Sequence, residues 1–272
     1  MTSSTEKDTA DLKRRLRATW MAGDYDRFSR YMESDAEQFF LRLRLQPGIR
    51  LLDVACGAGQ VALIAARAGL YATGCDIATN WIEKARLRAA AEKLPAIFDE
   101  GDAESLPYAD ASFEAVVSLV GAMFAPRPHL VAGELTRVCT PGGTIAMANW
   151  TPDGFIGQMF RAISRYIAPS GAPSPVLWGD EETVRERLKD GIAHLRLTRR
   201  MYHFDYPFPP EGVVEFFRGN YGPMCRAFES LDAPAQEELR SELVRLWSQH
   251  NYDGASRTQV QAEYLEVIAT RE

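Results

Sequence analysis

The first half of the chain alternates short apolar runs with longer stretches in which apolar residues recur every three or four positions. The apolar runs, each of strand length, are RLLDVA, YATGCDI, AIFDEGD, SFEAVVSLV and GTIAMANW. The stretches with helical periodicity are GQVALIAARAG, NWIEKARLRAAAEK and PHLVAGELTRVC. Such alternation is typical of parallel strands joined by right-handed helical crossovers, with helices on both faces of the sheet. We therefore predict an α/β fold.

Further helical patterns flank this region. Before it, DLKRRLRATW and YDRFSRYMESDAEQFFLRL place apolar residues on one helical face, which predicts an N-terminal helical flap over residues 1–46. After it, APSGAPSP predicts a loop, and Asp180 is the expected N-cap of the helix DEETVRERL. LDAPAQEELRSELVRLWSQH predicts another helix, while HLRLTRRMYHFDYPF and TQVQAEYLEVIAT predict two late strands. The predicted core is then residues 47–150, and residues 151–272 hold a helical cap, the substrate region and the last two strands of the core sheet.

Composition and charge narrow the possible partners. The 272 residues are 46% hydrophobic, enough to bury a substantial core, and carry a net charge of -6. An acidic chain does not collect phosphates by bulk attraction, so we expect no nucleic-acid partner. The oligomeric state stays open.

Cysteine usage and hydropathy bear on location. The four cysteines form no CxxC pair and have no histidine at zinc-binding spacing, so we predict no metal site. Thiols of this kind fit a reducing cytoplasm. No run has the length of a signal-peptide core or of a membrane span, so we expect a cytoplasmic protein with no membrane partner.

The segment DVACGAGQ, residues 53–60, connects the first predicted strand to a helix almost entirely through small residues. Small side chains let backbone amides approach a ligand closely. Gly57, Gly59 and Ala62 fit the G-x-G-x-x-A pattern of dinucleotide-binding turns. A tight structural turn without a ligand is the alternative interpretation.

Acidic residues follow three strands that we expect to be neighbours. Asp53 precedes the small-residue turn, Asp76 ends the second strand, and Asp102 follows the third. An acid at the tip of the second strand can accept hydrogen bonds from both ribose hydroxyls. Because carboxylates disfavour a pyrophosphate and favour cations, an adenosine that carries a sulfonium and an ammonium fits better than NAD. That ligand is S-adenosylmethionine.

The ordered motifs LLDVACGAGQ, GCDIATNWIEKAR, GDAESLPYADASFEAVVS and ELTRVCTPGGTIAMANW resemble those of class I S-adenosylmethionine-dependent methyltransferases. The resemblance is closest to the branch of ubiquinone/menaquinone-biosynthesis C-methyltransferases (methyltransferase type 11). It implies a Rossmann-like, doubly wound sheet of seven strands, the last antiparallel. The segment SLVGAMFAPRP lacks the Asn/Asp-Pro-Pro-Tyr stretch common in enzymes that methylate nucleic-acid bases.

The resemblance also implies roles at the methionine end of the cofactor. Ala55, Gly57 and Gly59 are expected to line it, with Tyr25 lying over it. Ser118 and the residues after the fourth strand are expected to flank the sulfonium. The family's first glycine is replaced by Ala55 here, which we expect only to tighten the turn.

At the adenosine end, the resemblance implies four further contacts. Asp76 is expected to hold the ribose and Ile77 to pack on the adenine. Asp102 and the amide of Ala103 are expected to read the adenine edge.

No residue stands out as a catalyst. The family reaction is an in-line displacement that holding the reactants in line accelerates, so a protein base is optional. Tyr25 and His203 are candidates, His203 because its reference pKa lies near neutrality. A structural role is the alternative interpretation of each.

The aromatic residues of the second half either pack the cap or suit a flat, apolar acceptor. We therefore predict methyl transfer to a small organic acceptor. The alternatives are an NAD(P)-dependent oxidoreductase and an S-adenosylmethionine-binding protein without turnover.

Overall fold

The computed structural model describes residues 4–167 and 171–272. The first residues of the predicted APSGAPSP loop, 168–170, lie outside the described part of the chain. Its last residue, Pro175, begins a 3-10 turn over Pro175–Gly179.

The seven predicted strands all form and join one sheet. They are β1 (Arg50–Val54), β2 (Tyr71–Asp76), β3 (Ile97–Glu100), β4 (Phe113–Leu119), β5 (Cys139–Trp150), β6 (Ile192–Tyr206) and β7 (Thr258–Arg271). Their order is β3-β2-β1-β4-β5-β7-β6. Strands β1 to β5 pair in parallel, and β7 runs antiparallel to both of its neighbours. The predicted α/β fold with an antiparallel last strand is confirmed.

Eleven α-helices lie in the described part of the chain. They are α1 (Ser4–Trp20), α2 (Tyr25–Ser29), α3 (Glu33–Leu43), α4 (Gln60–Arg67), α5 (Thr79–Glu92), α6 (Pro128–Val138), α7 (Phe155–Ser164), α8 (Glu181–Arg187), α9 (Pro210–Asn220), α10 (Gly222–Glu229) and α11 (Ala233–His250). Helices α4, α5 and α6 form the crossovers between parallel strands. The predicted N-cap is confirmed, since the carboxylate of Asp180 accepts a hydrogen bond from the amide of Thr183 at 2.9 Å.

The strand order reverses between β1 and β4, where successive crossovers lie on opposite faces of the sheet. In a doubly wound sheet, this reversal leaves a crevice outside the carboxyl ends of the strands. The small-residue turn after β1 and the segment after β4 therefore face the same crevice.

The second flap helix is not continuous as predicted. It divides into α2 and α3 around a 3-10 turn, Arg30–Met32. At this break the carbonyl of Met32 accepts a hydrogen bond from the buried hydroxyl of Tyr202 on β6. A long-range contact thus lies where the amphipathic pattern alone indicates an unbroken helix.

The flap is fixed to the second half of the chain at two places. Near the end of α1, a Cβ on Gly222 would lie 2.1 Å from the carbonyl oxygen of Thr19, so α10 packs directly on α1. At α3, Arg42 lies 2.7 Å from Glu266, a buried carboxylate of β7 that also pairs with Arg200 on β6 at 2.8 Å. Two cations compensate the buried charge, which is the condition under which a carboxylate remains inside a protein.

Candidate functional site

The turn after β1 is held in left-handed backbone conformations. Ala55 has φ 57°, Gly57 φ 53° and Gly59 φ 81°. Glycine adopts this region freely, whereas alanine is strained there. The expectation that Ala55 only tightens the turn is therefore wrong, because the alanine occupies a conformation that favours glycine. The turn ends at Gly59, which is the N-cap of α4.

Asp76 connects this turn to the end of β2. Its Oδ2 accepts a hydrogen bond from the amide of Gly57 and its Oδ1 accepts one from the amide of Ala78, both at 2.8 Å. Burial raises the pKa of the carboxyl above its ordinary value. Because a carboxylate has about four acceptor positions, these hydrogen bonds leave acceptor capacity for a ligand.

A cavity opens at this crevice, with about 770 Å³ of empty space including its mouth. Seven of the residues predicted to contact the cofactor line it: Tyr25, Ala55, Gly57, Asp76, Ile77, Asp102 and Ala103. They come from the flap, the turn after β1, the end of β2 and the loop after β3. Residues far apart in sequence thus share one wall, and the cavity is the candidate cofactor site.

Asp53 does not line the cavity. Its carboxylate accepts a hydrogen bond from the amide of Ala62, at 3.0 Å, inside the first turns of α4. It borders a smaller pocket, which also touches Tyr25 and Ala55. Burial raises the pKa of Asp53 to about 8, although the amide of Ala62 opposes the shift. Two carboxylates, not the three predicted, therefore line the cavity.

Gly59 and Ser118 also lie off the cavity wall. A Cβ on Gly59 would meet the ring of Phe98 at 2.7 Å, so this glycine is required for packing. Ser118 lies within β4, where its hydroxyl donates to the carbonyl of Val54 at 2.7 Å and accepts from the amide of Ala122 at 2.9 Å. The serine is used inside the fold, so we correct its predicted position beside the sulfonium.

The segment after β4 lines the cavity in place of Ser118. Val120, Gly121 and Ala122 form part of the wall. A Cβ on Gly121 would lie 2.4 Å from the carbonyl oxygen of Ala55, so the turns after β1 and β4 touch.

The two catalytic candidates have different positions. His203 lies on β6 with its side chain 54% exposed, and its Nδ1 is 3.4 Å from a carboxylate oxygen of Asp35. It does not line the cavity and is not a candidate catalyst in this structure. Tyr25 lines the cavity, and its ring would be 3.0 Å from a Cβ on Gly57. Burial, followed by the charges of Asp76 and Asp53, raises the pKa of Tyr25, so its hydroxyl stays protonated at neutral pH.

Helix α1, part of the predicted N-terminal flap, lines the cavity, and its contacts with the loop after β3 were not predicted from the sequence. Lys13, Leu16 and Trp20 line the cavity. The ammonium group of Lys13 pairs with Asp102 and, at 2.6 Å, with Glu104. The carbonyl of Trp20 accepts a hydrogen bond from Nε1 of Trp81 on α5 at 2.6 Å.

A second, smaller cavity adjoins the first, and we name it the aromatic chamber. Its residues shared with the cofactor cavity are Trp20, Tyr25, Val120 and Phe124. The others are Phe28, Met32, Trp150, Ile156, Met159, Phe204, Phe217 and Tyr221. Several of the aromatic residues predicted to pack the cap or to face an acceptor therefore surround one space next to the cofactor cavity.

The described residues hold neither a cluster of metal ligands nor a membrane-spanning helix. Within residues 4–167 and 171–272, no three His, Cys, Asp or Glu side chains are grouped as metal ligands would be. No helix in these ranges combines the length and the apolar character that crossing a bilayer requires.

Comparison with known proteins identifies the family to which this chain is related. Residues 52–147 match a family model described as a methyltransferase domain. The chain is 34% identical over 260 residues to the uncharacterized protein Rv1405c of Mycobacterium tuberculosis, covering 94% of this chain and 93% of that protein. Over 134 residues, 48% of each chain, it is also 34% identical to the methyltransferase GfsG of Streptomyces halstedii.

Solved structures show the same fold. The YcgJ protein of Bacillus subtilis is 14% identical, with a TM-score of 0.59 over 87% of this chain and 97% of that one. Phosphoethanolamine N-methyltransferase 2 of Haemonchus contortus, solved in complex with S-adenosylmethionine, is 18% identical, with a TM-score of 0.57 over 88% and 53% of the two chains. By its sequence motifs, its family match and its fold, this chain belongs to the class I S-adenosylmethionine-dependent methyltransferases.

Proposed function

We propose that this protein transfers a methyl group from S-adenosylmethionine to a small organic acceptor. The observation that carries the proposal is the position of Asp76. Its carboxylate is anchored to the glycine-rich turn on one side and lines the cavity on the other. This position suits an acceptor of hydrogen bonds from ribose hydroxyls.

The other walls of the cavity fit the remaining parts of the cofactor. Ile77 and Ala103 would flank the adenine, with Asp102 accepting a hydrogen bond from its amino group. Ala55 and Gly57 would lie against the methionine part, beneath Tyr25. The small residues matter here, because a Cβ on Gly57 would press on the ring of Tyr25.

Charge favours this cofactor over a dinucleotide. An anion bound at the start of α4 would need the free amides of its first turn. Here the carboxylate of Asp53 already accepts the amide of Ala62 in that turn. The carboxylate of Asp76, which lines the cavity, favours a ligand that carries a sulfonium and an ammonium over one that carries a pyrophosphate.

The proposed transfer needs no protein base. When bound, the cofactor supplies a methyl carbon on a positively charged sulfur. A lone pair of the acceptor would form the new bond to this carbon as the carbon–sulfur bond breaks, and the electron pair of that bond would remain on sulfur. The acceptor's proton leaves to solvent, since the hydroxyl of Tyr25 is already protonated. The protein's contribution is to hold the reactants in line and to exclude water.

We also propose that the reaction takes place in the cytoplasm. The four cysteines are buried free thiols, the form that a reducing compartment maintains.

Parallel titrations test the proposal. We expect S-adenosylhomocysteine, but not NADH, to bind in calorimetry and to raise the unfolding temperature. We further expect a tritiated methyl donor, incubated with the protein and native cell extract, to label a small molecule. Stabilisation by NADH alone would support the oxidoreductase alternative instead. Cofactor binding without any labelled product would favour a binding protein without turnover.

A further inference from the structure

We propose that the aromatic chamber binds the methyl acceptor and selects a flat, uncharged ring system. This inference rests on the proposed function, because it assigns the second substrate of the same reaction. Its basis is the position, the uncharged lining and the aromatic rings of the chamber.

The position of the chamber suits an acceptor. It meets the cofactor cavity at four shared residues: Trp20, Tyr25, Val120 and Phe124. Tyr25 and Val120 are adjacent to the turns that we assign to the methionine part of the cofactor. A group in the chamber therefore reaches the cofactor from the side of its reacting end, where in-line transfer requires the nucleophile.

The lining of the chamber offers no charge to a ligand. Its twelve side chains are apolar or aromatic, and none is acidic or basic. Burial raises the pKa of Tyr25 and of Tyr221, so neither phenol ionises at neutral pH. An anionic acceptor would lose its hydration without gaining a counterion. A cationic acceptor would also lie beside the sulfonium in a medium of low dielectric constant.

The geometry of the rings suits a planar guest. Trp20 and Phe124 meet edge to face at 4.8 Å between centroids, and Phe28 stacks on Tyr221 at 5.0 Å. The ring centroids of Trp150 and Phe204 are 5.8 Å apart, and both residues line the chamber. A flat ring that packs against these side chains gains offset-stacked and edge contacts that an aliphatic chain of equal area does not. The side-chain polar groups are phenols and indole N–H groups, which can bind a hydroxyl or carbonyl substituent.

Three probes with the same ring test the selection by charge. They are 2-naphthol, 6-hydroxy-2-naphthoate and 6-(aminomethyl)-2-naphthol, which at pH 7 are neutral, anionic and cationic. Each is titrated into the full chain saturated with S-adenosylhomocysteine, and binding is followed by calorimetry. We expect the neutral probe to bind at least tenfold more tightly than either charged one.

The outcomes separate the two proposals. If S-adenosylhomocysteine itself does not bind, the proposed function fails and this inference fails with it. If it binds, but a charged probe binds as tightly as 2-naphthol or 2-naphthol does not bind, only the inference about the acceptor is overturned.

Variants of residues on α7 test whether the acceptor binds in the aromatic chamber. Met159 and Ile156 line the chamber, whereas Ile163 on the same helix does not. We expect Met159→Phe to weaken 2-naphthol binding at least tenfold while S-adenosylhomocysteine affinity stays within twofold. The matched control Ile163→Phe should change neither affinity. Unchanged 2-naphthol affinity in a folded Met159→Phe protein would overturn the location, and Ile156→Phe serves if that variant does not fold.

Discussion

The ammonium group of Lys13 lies 2.6 Å from the carboxylate of Glu104, which attaches helix α1 to the loop after β3 across the mouth of the cavity. The side chain of Glu104 is fully buried and also forms an ion pair with Arg127. The lysine can therefore be removed without leaving the buried carboxylate unpaired.

We expect Lys13→Met to speed the dissociation of S-adenosylhomocysteine about fivefold, which corresponds to about 1 kcal/mol for a partly exposed pair. Stopped-flow competition measures the rate, and hydrogen exchange should increase in α1. Arg14→Met is the control, because Arg14 is exposed and pairs with Asp11 on its own helix. Slower dissociation in Lys13→Met would show that the lysine competes with the cofactor instead of retaining it.

The second prediction concerns the carboxylate of Asp76. In Asp76→Asn the side chain keeps its shape and can still accept one amide hydrogen bond, but it loses the charged acceptor facing the cavity. We expect the affinity for S-adenosylhomocysteine to fall tenfold or more, as the loss of a charge-assisted hydrogen bond implies. Calorimetry measures the affinity, with the exposed Asp110→Asn as control. Equal affinities in the two variants would remove Asp76 from the site.

The pKa of Asp53 predicts a dependence of stability on pH. In the folded protein burial raises this pKa to about 8, above its ordinary value of 3.8. Between these values the folded state holds a proton that the unfolded state has released. The free energy of unfolding should therefore fall as the pH rises from about 4 to 8. Above pH 8 the destabilisation caused by the ionised, buried Asp53 has reached its full value.

Asp53→Asn removes this titration while its side-chain oxygen can still accept from the amide of Ala62. Relative to the wild type, we expect the variant to gain at least about 1 kcal/mol of stability between pH 5 and pH 8.5. Urea unfolding at the two pH values measures the difference. A constant difference would show that Asp53 is ionised throughout this range.

Substitution by alanine should have opposite effects on stability at two glycines, Gly121 and Gly133. Gly121→Ala would place a Cβ 2.4 Å from the carbonyl oxygen of Ala55. Because this oxygen belongs to the backbone, the clash can be relieved only if the turn after β1 or the segment after β4 moves. We expect the free energy of unfolding to fall by about 2 kcal/mol or more, and the cofactor to bind more weakly. Gly133 lies inside α6, where an added Cβ would have no atom within 4 Å apart from its own local helix backbone. Gly133→Ala should therefore stabilise the protein by about 0.5 to 1 kcal/mol. Thermal unfolding of both variants checks the signs.

The sequence predicted the sheet well because strand identity is a local property here. Each strand of the parallel region is a short run, and helical patterns follow the first, second and fourth of them. The predicted antiparallel seventh strand followed from family resemblance. The break at Arg30–Met32 could not be predicted, because the contact that accompanies it is made by Tyr202, 170 positions from Met32.

The site was predicted where residue type and position determine the role. Asp76 ends β2 and Ile77 follows it, while Gly57 lies in the turn after β1, so each lines the crevice. The direction of a side chain was harder to predict. Asp53 and Ser118 lie near the carboxyl ends of β1 and β4, as predicted, but their polar atoms form hydrogen bonds with backbone groups of the fold. The spacing of residues in the sequence does not reveal such hydrogen bonds. Lys13 is one of several basic residues on an amphipathic helix, and its partner Asp102 is 89 positions away.

The packing of Gly222 against Thr19 limits how this protein can be divided. The region with recognisable family sequence, residues 52–147, contains neither the helix that closes the cavity nor the helices that hold that helix in place. A fragment cut at those limits would retain the glycine-rich turn and Asp76 but form only an open half of the binding site. A chimera that is to keep the proposed acceptor site must therefore exchange both ends of the chain together.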